Sequence, residues 1–251
     1  QQKKIEYLRL PKRFGNAKYP EVHIVDMLSN QKETGKYDQV VSGLLQDKIE
    51  EKLKKNEQII LIQNRRGFSP IVKCRDCGAQ VMCRQCKIAL TYHKSKNKLV
   101  CHFCSFFVKN EMLICQECGN PNLIYSGTGT QKVEQLIRET FPKSKICRLD
   151  MDTSKSNIGL TSILKSFSNQ EFDILIGTQM VAKGLDFPNA TLVGIINADL
   201  GLYLPDFLAT EKVFQLIYQA SGRSGRSSKK GEVVIQTFSP NSAVIKNAKD
   251  L

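Results

Sequence analysis

The chain's 251 residues suffice for a full core, built as one large domain or two smaller ones. Lys and Arg outnumber Asp and Glu by 37 to 24, and the net charge of +13 favours a polyanionic partner, most simply nucleic acid. The opening Gln1–Gln2–Lys3–Lys4–Ile5 holds no apolar signal core, and no apolar run approaches membrane-spanning length. That argues against a secretory leader, a membrane protein and a disulfide framework.

In chain order, Ile5–Leu10 alternates like a strand, and a basic, proline-bearing stretch follows to Pro20. Val22–Met27 reads as another short strand. From Asp38 to Lys55 the apolar residues Val41, Leu44, Leu45, Ile49 and Leu53 recur at helical spacing opposite a charged face. Gln58–Gln63 is a compact apolar strand of the kind buried in a parallel sheet. It runs into Asn64–Arg65–Arg66–Gly67–Phe68–Ser69–Pro70. Cations at the C-terminal end of such a strand sit where open α/β sheets bind ligands, although the same stretch also reads as a solvated turn.

Eight of the nine cysteines then fall into Cys74/Cys77, Cys83/Cys86, Cys101/Cys104 and Cys115/Cys118; Cys147 stands alone. A Cys-x-x-Cys turn offers two thiolates from one loop, and four such turns make two complete tetrahedral sites. With no open coordination position, structural Zn²⁺ is the first reading and an iron or iron–sulfur site the chemical alternative. Spacing alone leaves the connectivity open. A nested arrangement has Cys74, Cys77, Cys115 and Cys118 close the base, while Cys83, Cys86, Cys101 and Cys104 clip a hairpin. That hairpin runs Ile88–Tyr92 out and Lys98–Cys101 back around a basic tip with Lys94, Lys96 and Lys98. His93 and His102 read as surface or packing residues, and Cys147 as a small core residue in a strand.

After Cys118 the α/β alternation resumes. Helices are expected over 131–140, 158–167 and 210–220, and strands over 145–150, 172–176, 191–196 and 231–237. The pattern predicts a parallel sheet with helices on both faces. Residues 74–118 interrupt it as an insertion, leaving 1–73 and 119–251 as one α/β domain, with 1–30 an opening segment.

Two further stretches stand out by their glycines and cations. One is Gly177–Thr178–Gln179–Met180–Val181–Ala182–Lys183–Gly184–Leu185–Asp186–Phe187–Pro188. The other, Tyr218–Gln219–Ala220–Ser221–Gly222–Arg223–Ser224–Gly225–Arg226, sets two guanidinium groups three residues apart, each after a glycine. A permanently charged planar fork suits phosphate oxygens and the charge of a transferring γ-phosphoryl group. Both stretches resemble motifs V and VI of superfamily-2 helicases. Together with Asn64–Phe68, the eight cysteines, Ala198–Asp199 and Pro205–Asp206–Phe207, they are similar to the replication-restart helicase family, over nearly the whole chain.

The resemblance implies a RecA-like second helicase lobe carrying a two-zinc insertion with the nested pairing, in an ATP-dependent 3′→5′ DNA helicase of the bacterial cytoplasm. It implies forked and single-stranded DNA, single-strand-binding protein, primosome proteins and the replicative helicase as partners, with ATP and Mg²⁺ in the whole enzyme. Thr178 would touch a DNA phosphate, with Arg65, Arg66, Lys94, Lys96 and Lys98 as further DNA contacts. Gly184 and Asp186 would line the nucleotide, Gln219 would couple the two sites, and Arg223 and Arg226 would reach the phosphates, Arg226 as the finger. Leu208 stands where the family commonly has arginine, and Leu185–Asp186 replaces the paired histidines of some members. No Gly-x-x-x-x-Gly-Lys-Ser/Thr and no Asp-Glu dipeptide occurs. With the first residue Gln1, this fits a piece of a longer protein that does not hydrolyse ATP unaided. The alternative is a non-enzymatic zinc module that binds DNA or a primosome partner.

Overall fold

The computed structural model describes residues 20–37, 39–63, 71–93, 97–109, 113–126, 129–149, 157–178, 181, 187–202, 208–222 and 229–248. Its first sheet is six-stranded and parallel. The strands are β1 (Glu21–Asp26), β2 (Gln58–Ile62), β8 (Ile146–Leu149), β9 (Ile174–Gly177), β10 (Ala190–Ile195) and β11 (Glu232–Thr237), in the order β1-β11-β10-β2-β9-β8. The central runs are apolar throughout because both faces are covered. Strand alternation divides β2 between two cores: Ile60 and Ile62 face one side, Ile59 and Leu61 the other.

The helices divide between the same two faces. Leu45 and Ile49 of α2 (Gly43–Lys54) and Val133 and Ile137 of α3 (Thr130–Thr140) cover the Ile59 side. Phe167 of α4 (Asn157–Ser168), Val213, Leu216 and Ile217 of α5 (Ala209–Ser221) and Ile245 of α6 (Ala243–Asn247) cover the other. The predicted parallel sheet with helices on both faces is present.

Two element boundaries differ from the sequence reading for local reasons. Strand β1 stops at Asp26, whose carboxylate accepts the Leu28 and Ser29 N–H groups and caps a short helix, α1 (Met27–Thr34). Helix α2 starts at Gly43 rather than near 38 because Ser42 caps it through Leu45 N–H. Buried Gln236 holds that cap: its Oε1 accepts from Ser42 N at 2.7 Å, and its amide donates to Val40 O and Ile196 O. The expected strand over 5–10 lies outside the described residues.

Between β2 and α3 the chain builds a second, antiparallel sheet of β3 (Ile71–Cys74), β4 (Thr91–His93), β5 (Lys98–Val100), β6 (Phe107–Lys109) and β7 (Leu123–Ser126), in the order β6-β5-β4-β3-β7. Its first and last strands pair, Ile71 with Ser126 and Cys74 with Leu123, so the chain enters and leaves side by side. An inserted unit with adjacent ends leaves the host sheet's connections undisturbed. By this geometry the sheet runs from Ile71 to Ser126, beyond 74–118 at both ends and further at the second.

At the N-terminal end of the parallel strands sits a buried charge cluster. Glu232 receives Lys52 at 2.7 Å and Lys48 beside it, both from α2. Burial alone would push its carboxyl up, but the two ammonium groups win and hold it at about 2. The folded value lies below the usual 4.5, so this contribution is complete above about pH 4.5 and disappears as pH falls towards 2. Glu232→Gln is expected to cost about 3 kcal/mol at pH 7, and the gap to the parent should narrow at pH 3. Urea unfolding at the two pH values checks this; a gap independent of pH would show that the ion pairs contribute nothing.

Candidate metal centres and motor face

The four Cys-x-x-Cys turns are built alike. In each, the N–H four residues on donates back to the first cysteine's carbonyl: Gly78 to Cys74, Lys87 to Cys83, Ser105 to Cys101 and Gly119 to Cys115, at 2.9–3.0 Å. Each first cysteine's own N–H donates to the carbonyl five residues on, at Ala79, Ile88, Phe106 and Asn120. Closing so tight a loop needs a left-handed residue at the fifth position. Gly78, Lys87, Ser105 and Gly119 all have positive φ, between 55° and 76°. Glycine supplies that freely at two of the four positions; Lys87 and Ser105 adopt it at a cost.

These turns bring the thiols together as two tetrads, Cys74–Cys77–Cys115–Cys118 and Cys83–Cys86–Cys101–Cys104, with all sulfurs of a tetrad within 4.8 Å of one another. Cys74 Sγ lies 3.6 Å from Cys118 Sγ, Cys77 Sγ 3.5 Å from Cys115 Sγ, and Cys83 Sγ 3.6 Å from Cys104 Sγ. A tetrahedron with metal–sulfur bonds of ~2.3 Å has edges of about 3.8 Å, so the tetrads fit a Zn²⁺-sized ion held by sulfur alone. With the thiols crowded together, one in each tetrad is lowered and others are raised: burial pushes Cys77 up to about 12, and the Cys104 thiol does the same to Cys86. Burial pushes Cys115 up, yet the N–H groups of Cys118 and Glu117 and the neighbouring thiols bring it to about 7. Cys101 reaches about 7 in the same way, through the N–H groups of Cys104 and Phe103.

The remaining cysteine and the two histidines have other places. Cys147 is buried in β8, its thiol pushed up to about 12 by burial, and its Sγ–H points to Ile174 O at 3.7 Å. His93 and His102 stand outside both tetrads and bond to each other, Nε2 to Nε2, at 3.1 Å.

A buried polar contact ties the antiparallel sheet to the parallel one. Lys73 of β3 places its ammonium 3.0 Å from the centre of the Phe238 ring, just beyond β11. Burial pulls that ammonium down to about 7 against the pull of Asp199. Asp199, in a 3₁₀ turn (Ala198–Gly201) after β10, accepts from Thr237 Oγ1 at 2.7 Å and Phe238 N at 2.6 Å. Burial raises the Asp199 carboxyl, and those bonds and Lys73 oppose it. Sequence reading singled out Asp199 but not Lys73, whose partners lie far along the chain.

On the motor face, Thr178 follows the last residue of β9, buried and with no partner for its hydroxyl among the described residues. Gln63 N donates to Gly177 O at 2.9 Å, so the C-terminal end of β2 lies beside that of β9, next to Thr178. Gly177 cannot be larger: a Cβ there would meet Val181 Cγ2 at 2.2 Å and Leu149 O at 2.9 Å. Gly177→Ala is expected to cost about 2–3 kcal/mol by overpacking and to displace the Thr178 turn. Chemical denaturation measures this, and an unchanged midpoint would refute the packing argument.

Strand β9 ends at Gly177, at the C-terminal end of the parallel sheet, and β10 starts at Ala190, at the N-terminal end. There, Asn189 Oδ1 accepts from Lys229 Nζ at 2.8 Å. The residues just beyond the two motor stretches therefore touch. Gln219 is half-buried in the last turn of α5, whose end at Ser221–Gly222 leads into the arginine stretch. Lys98 is half-buried on β5. Arg65, Arg66, Lys94, Lys96, Gly184, Asp186, Arg223 and Arg226 lie outside the described residues.

Comparison with known proteins decides the family. The helicase conserved C-terminal domain matches residues 83–228. The chain belongs to this family. It is 42% identical over 236 residues to the replication restart protein PriA of Bacillus subtilis (strain 168), covering 94% of this chain and 29% of that protein. PriA of Chlamydia trachomatis serovar D is 42% identical over 240 residues, 95% of this chain and 32% of its own length. PriA of Rickettsia conorii is 36% identical over 247 residues, 98% of this chain and 38% of its own length. The chain thus spans about a third of the curated relatives it matches. The region matched as a helicase C-terminal domain starts at Cys83, inside the cysteine block, and takes in both motor stretches. Among the described residues, no helix is long and apolar enough to cross a membrane.

Proposed function

We propose that this chain is the second motor lobe of an ATP-dependent 3′→5′ DNA helicase that restarts stalled replication forks in the bacterial cytoplasm. The observation that carries the reading is the family match across both motor stretches, joined to the meeting of the C-terminal ends of β2 and β9 next to Thr178. Thr178, with Arg65 and Arg66 from the adjacent strand end, takes DNA phosphates; Lys94, Lys96 and Lys98 at the hairpin add further contacts. Gly184 and Asp186 line the nucleotide, Gln219 links the two sites, and Arg223 and Arg226 neutralise the phosphates of ATP held with Mg²⁺ by a first lobe. The two cysteine tetrads hold structural Zn²⁺, which supplies cross-linking of four turns and no reaction step. Forked and single-stranded DNA, single-strand-binding protein, primosome proteins and the replicative helicase are the partners of the whole enzyme.

The chain has neither a phosphate-cradling Gly-Lys-Ser/Thr nor an Asp-Glu pair for Mg²⁺. Phosphoryl transfer needs both functions, so arginines alone leave the nucleotide unpositioned. A DNA-stimulated ATPase assay on this chain and on the full-length enzyme tests the proposal. The chain alone should be inactive and the full-length enzyme active; hydrolysis by the isolated chain would overturn the division of labour. Without hydrolysis the lobe can still bind, which is where a non-enzymatic reading and the motor reading meet.

A further inference from the structure

The outer face of the antiparallel sheet is built unlike a plain solvated surface. Cross-strand register places Lys98 opposite both His93 and Lys109, and Val100 opposite both Thr91 and Phe107. Residues directly opposite in antiparallel strands share a face, so these six form two rows on one side of β4, β5 and β6. The other side carries Tyr92, Leu99 and Val108, which pack into the sheet's own core with Val72, Val81 and Leu90. Phe107, on the outer side, leaves 53% of its surface in water. Phe103, in the turn between Cys101 and Cys104, leaves 73% exposed. The Lys98 ammonium lies 4.6 Å from the centre of the Phe107 ring. None of the six residues in the two rows is acidic.

Exposed aromatic rings set among cations and without carboxylates fit one kind of partner best. A base can stack on a ring while its phosphate meets a neighbouring ammonium, and every base has a face to offer. We propose that this sheet face is a stacking platform for single-stranded nucleic acid, with Phe107 as the ring under a base and Lys98 and Lys109 on the flanking phosphates. It rests on the nucleic-acid reading above and adds a base-contacting surface to the phosphate-contacting basic tip. The β6 strand is an edge of its sheet, so one side of the platform is open to a strand passing along it.

The test uses the metal-loaded chain with two fluorescein-labelled probes, oligo-dT and an abasic oligonucleotide of the same length. Phe107→Leu keeps the apolar volume and removes the ring; at a site this exposed the fold is retained. It is expected to weaken oligo-dT binding about ten-fold and to leave the abasic probe unchanged, while Phe107→Trp retains binding to both. Lys98→Gln with Lys109→Gln should weaken both probes and flatten the salt dependence by about 0.7 in slope for each phosphate left without its ammonium. A Phe107→Leu variant that binds oligo-dT as tightly as the parent would overturn the platform while leaving the nucleic-acid reading intact, and the exposed face would then be assigned to a protein partner. Failure of the parent chain to bind either probe would overturn both.

Discussion

Stripping the metal from the two cysteine tetrads is expected to unfold residues 71–126 and leave the six-stranded parallel sheet standing. The asymmetry follows from what each sheet has besides metal. Strands β3 to β7 are three or four residues long, and their core is a handful of side chains, chiefly Val72, Val81, Ile88, Leu90, Leu99 and Leu113. Two of the most buried members of that core, Cys83 and Cys101, are themselves tetrad residues. A unit this small lacks the apolar burial to offset its chain entropy, whereas structural Zn²⁺ contributes on the order of 10 kcal/mol to such a fold. The parallel sheet has two cores of its own and shares neither with the tetrads. Hydrogen exchange before and after chelation distinguishes the cases: protection should vanish from β3–β7 and persist in β2, β9 and β10. Cys83→Ser and Cys115→Ser should each act in the same direction. Retained protection across β3–β7 without metal would show that the tetrads are incidental to the sheet.

The second large effect concerns the chemistry. In the full-length enzyme, Arg226→Ala is expected to lower ATP turnover by a factor on the order of 10³, as loss of an arginine finger does in phosphoryl transfer. On the proposed reading a planar, permanently charged fork would stand beside the γ-phosphate where negative charge spreads, and alanine would leave nothing there. Arg223→Ala should act in the same direction. Steady-state ATP hydrolysis with saturating DNA measures the loss, and DNA affinity measured alongside separates it from a binding defect. Near-normal turnover would remove Arg226 from the finger role.

Where the sequence was legible, a single local rule was enough. The apolar run at Gln58–Ile62 announced a strand buried on both faces, and the 3.6-residue recurrence of Leu45, Ile49 and Leu53 announced the helix over it. Four Cys-x-x-Cys pairs specified two sulfur sites, because two thiolates per turn and four per metal leave no other count. The nested partnering was a choice among alternatives, and the tetrads adopt it.

What was not legible depends on partners distant in sequence or on very short elements. Strands β3, β6 and β7 carry too few residues of mixed character for alternation to register. The Asp26 cap was readable in principle, since an Asp before a helical run is a start signal, but Met27 continued the apolar run and masked it. A glycine one residue past the second cysteine, at Gly78 and Gly119, could have flagged the left-handed position that Lys87 and Ser105 share. The contact of Lys73 with Phe238 and the bond between His93 and His102 had no such signal, because each exists only once two turns or two sheets are in place.

Two closed sulfur sites holding an inserted sheet inside a helicase motor lobe are the centre of this account. The most direct test is metal content per chain by elemental mass spectrometry, with X-ray absorption on the same sample. Two zincs per chain, each with four sulfur neighbours at about 2.3 Å, are expected. Iron, a single metal, or nitrogen in either first coordination sphere would contradict it.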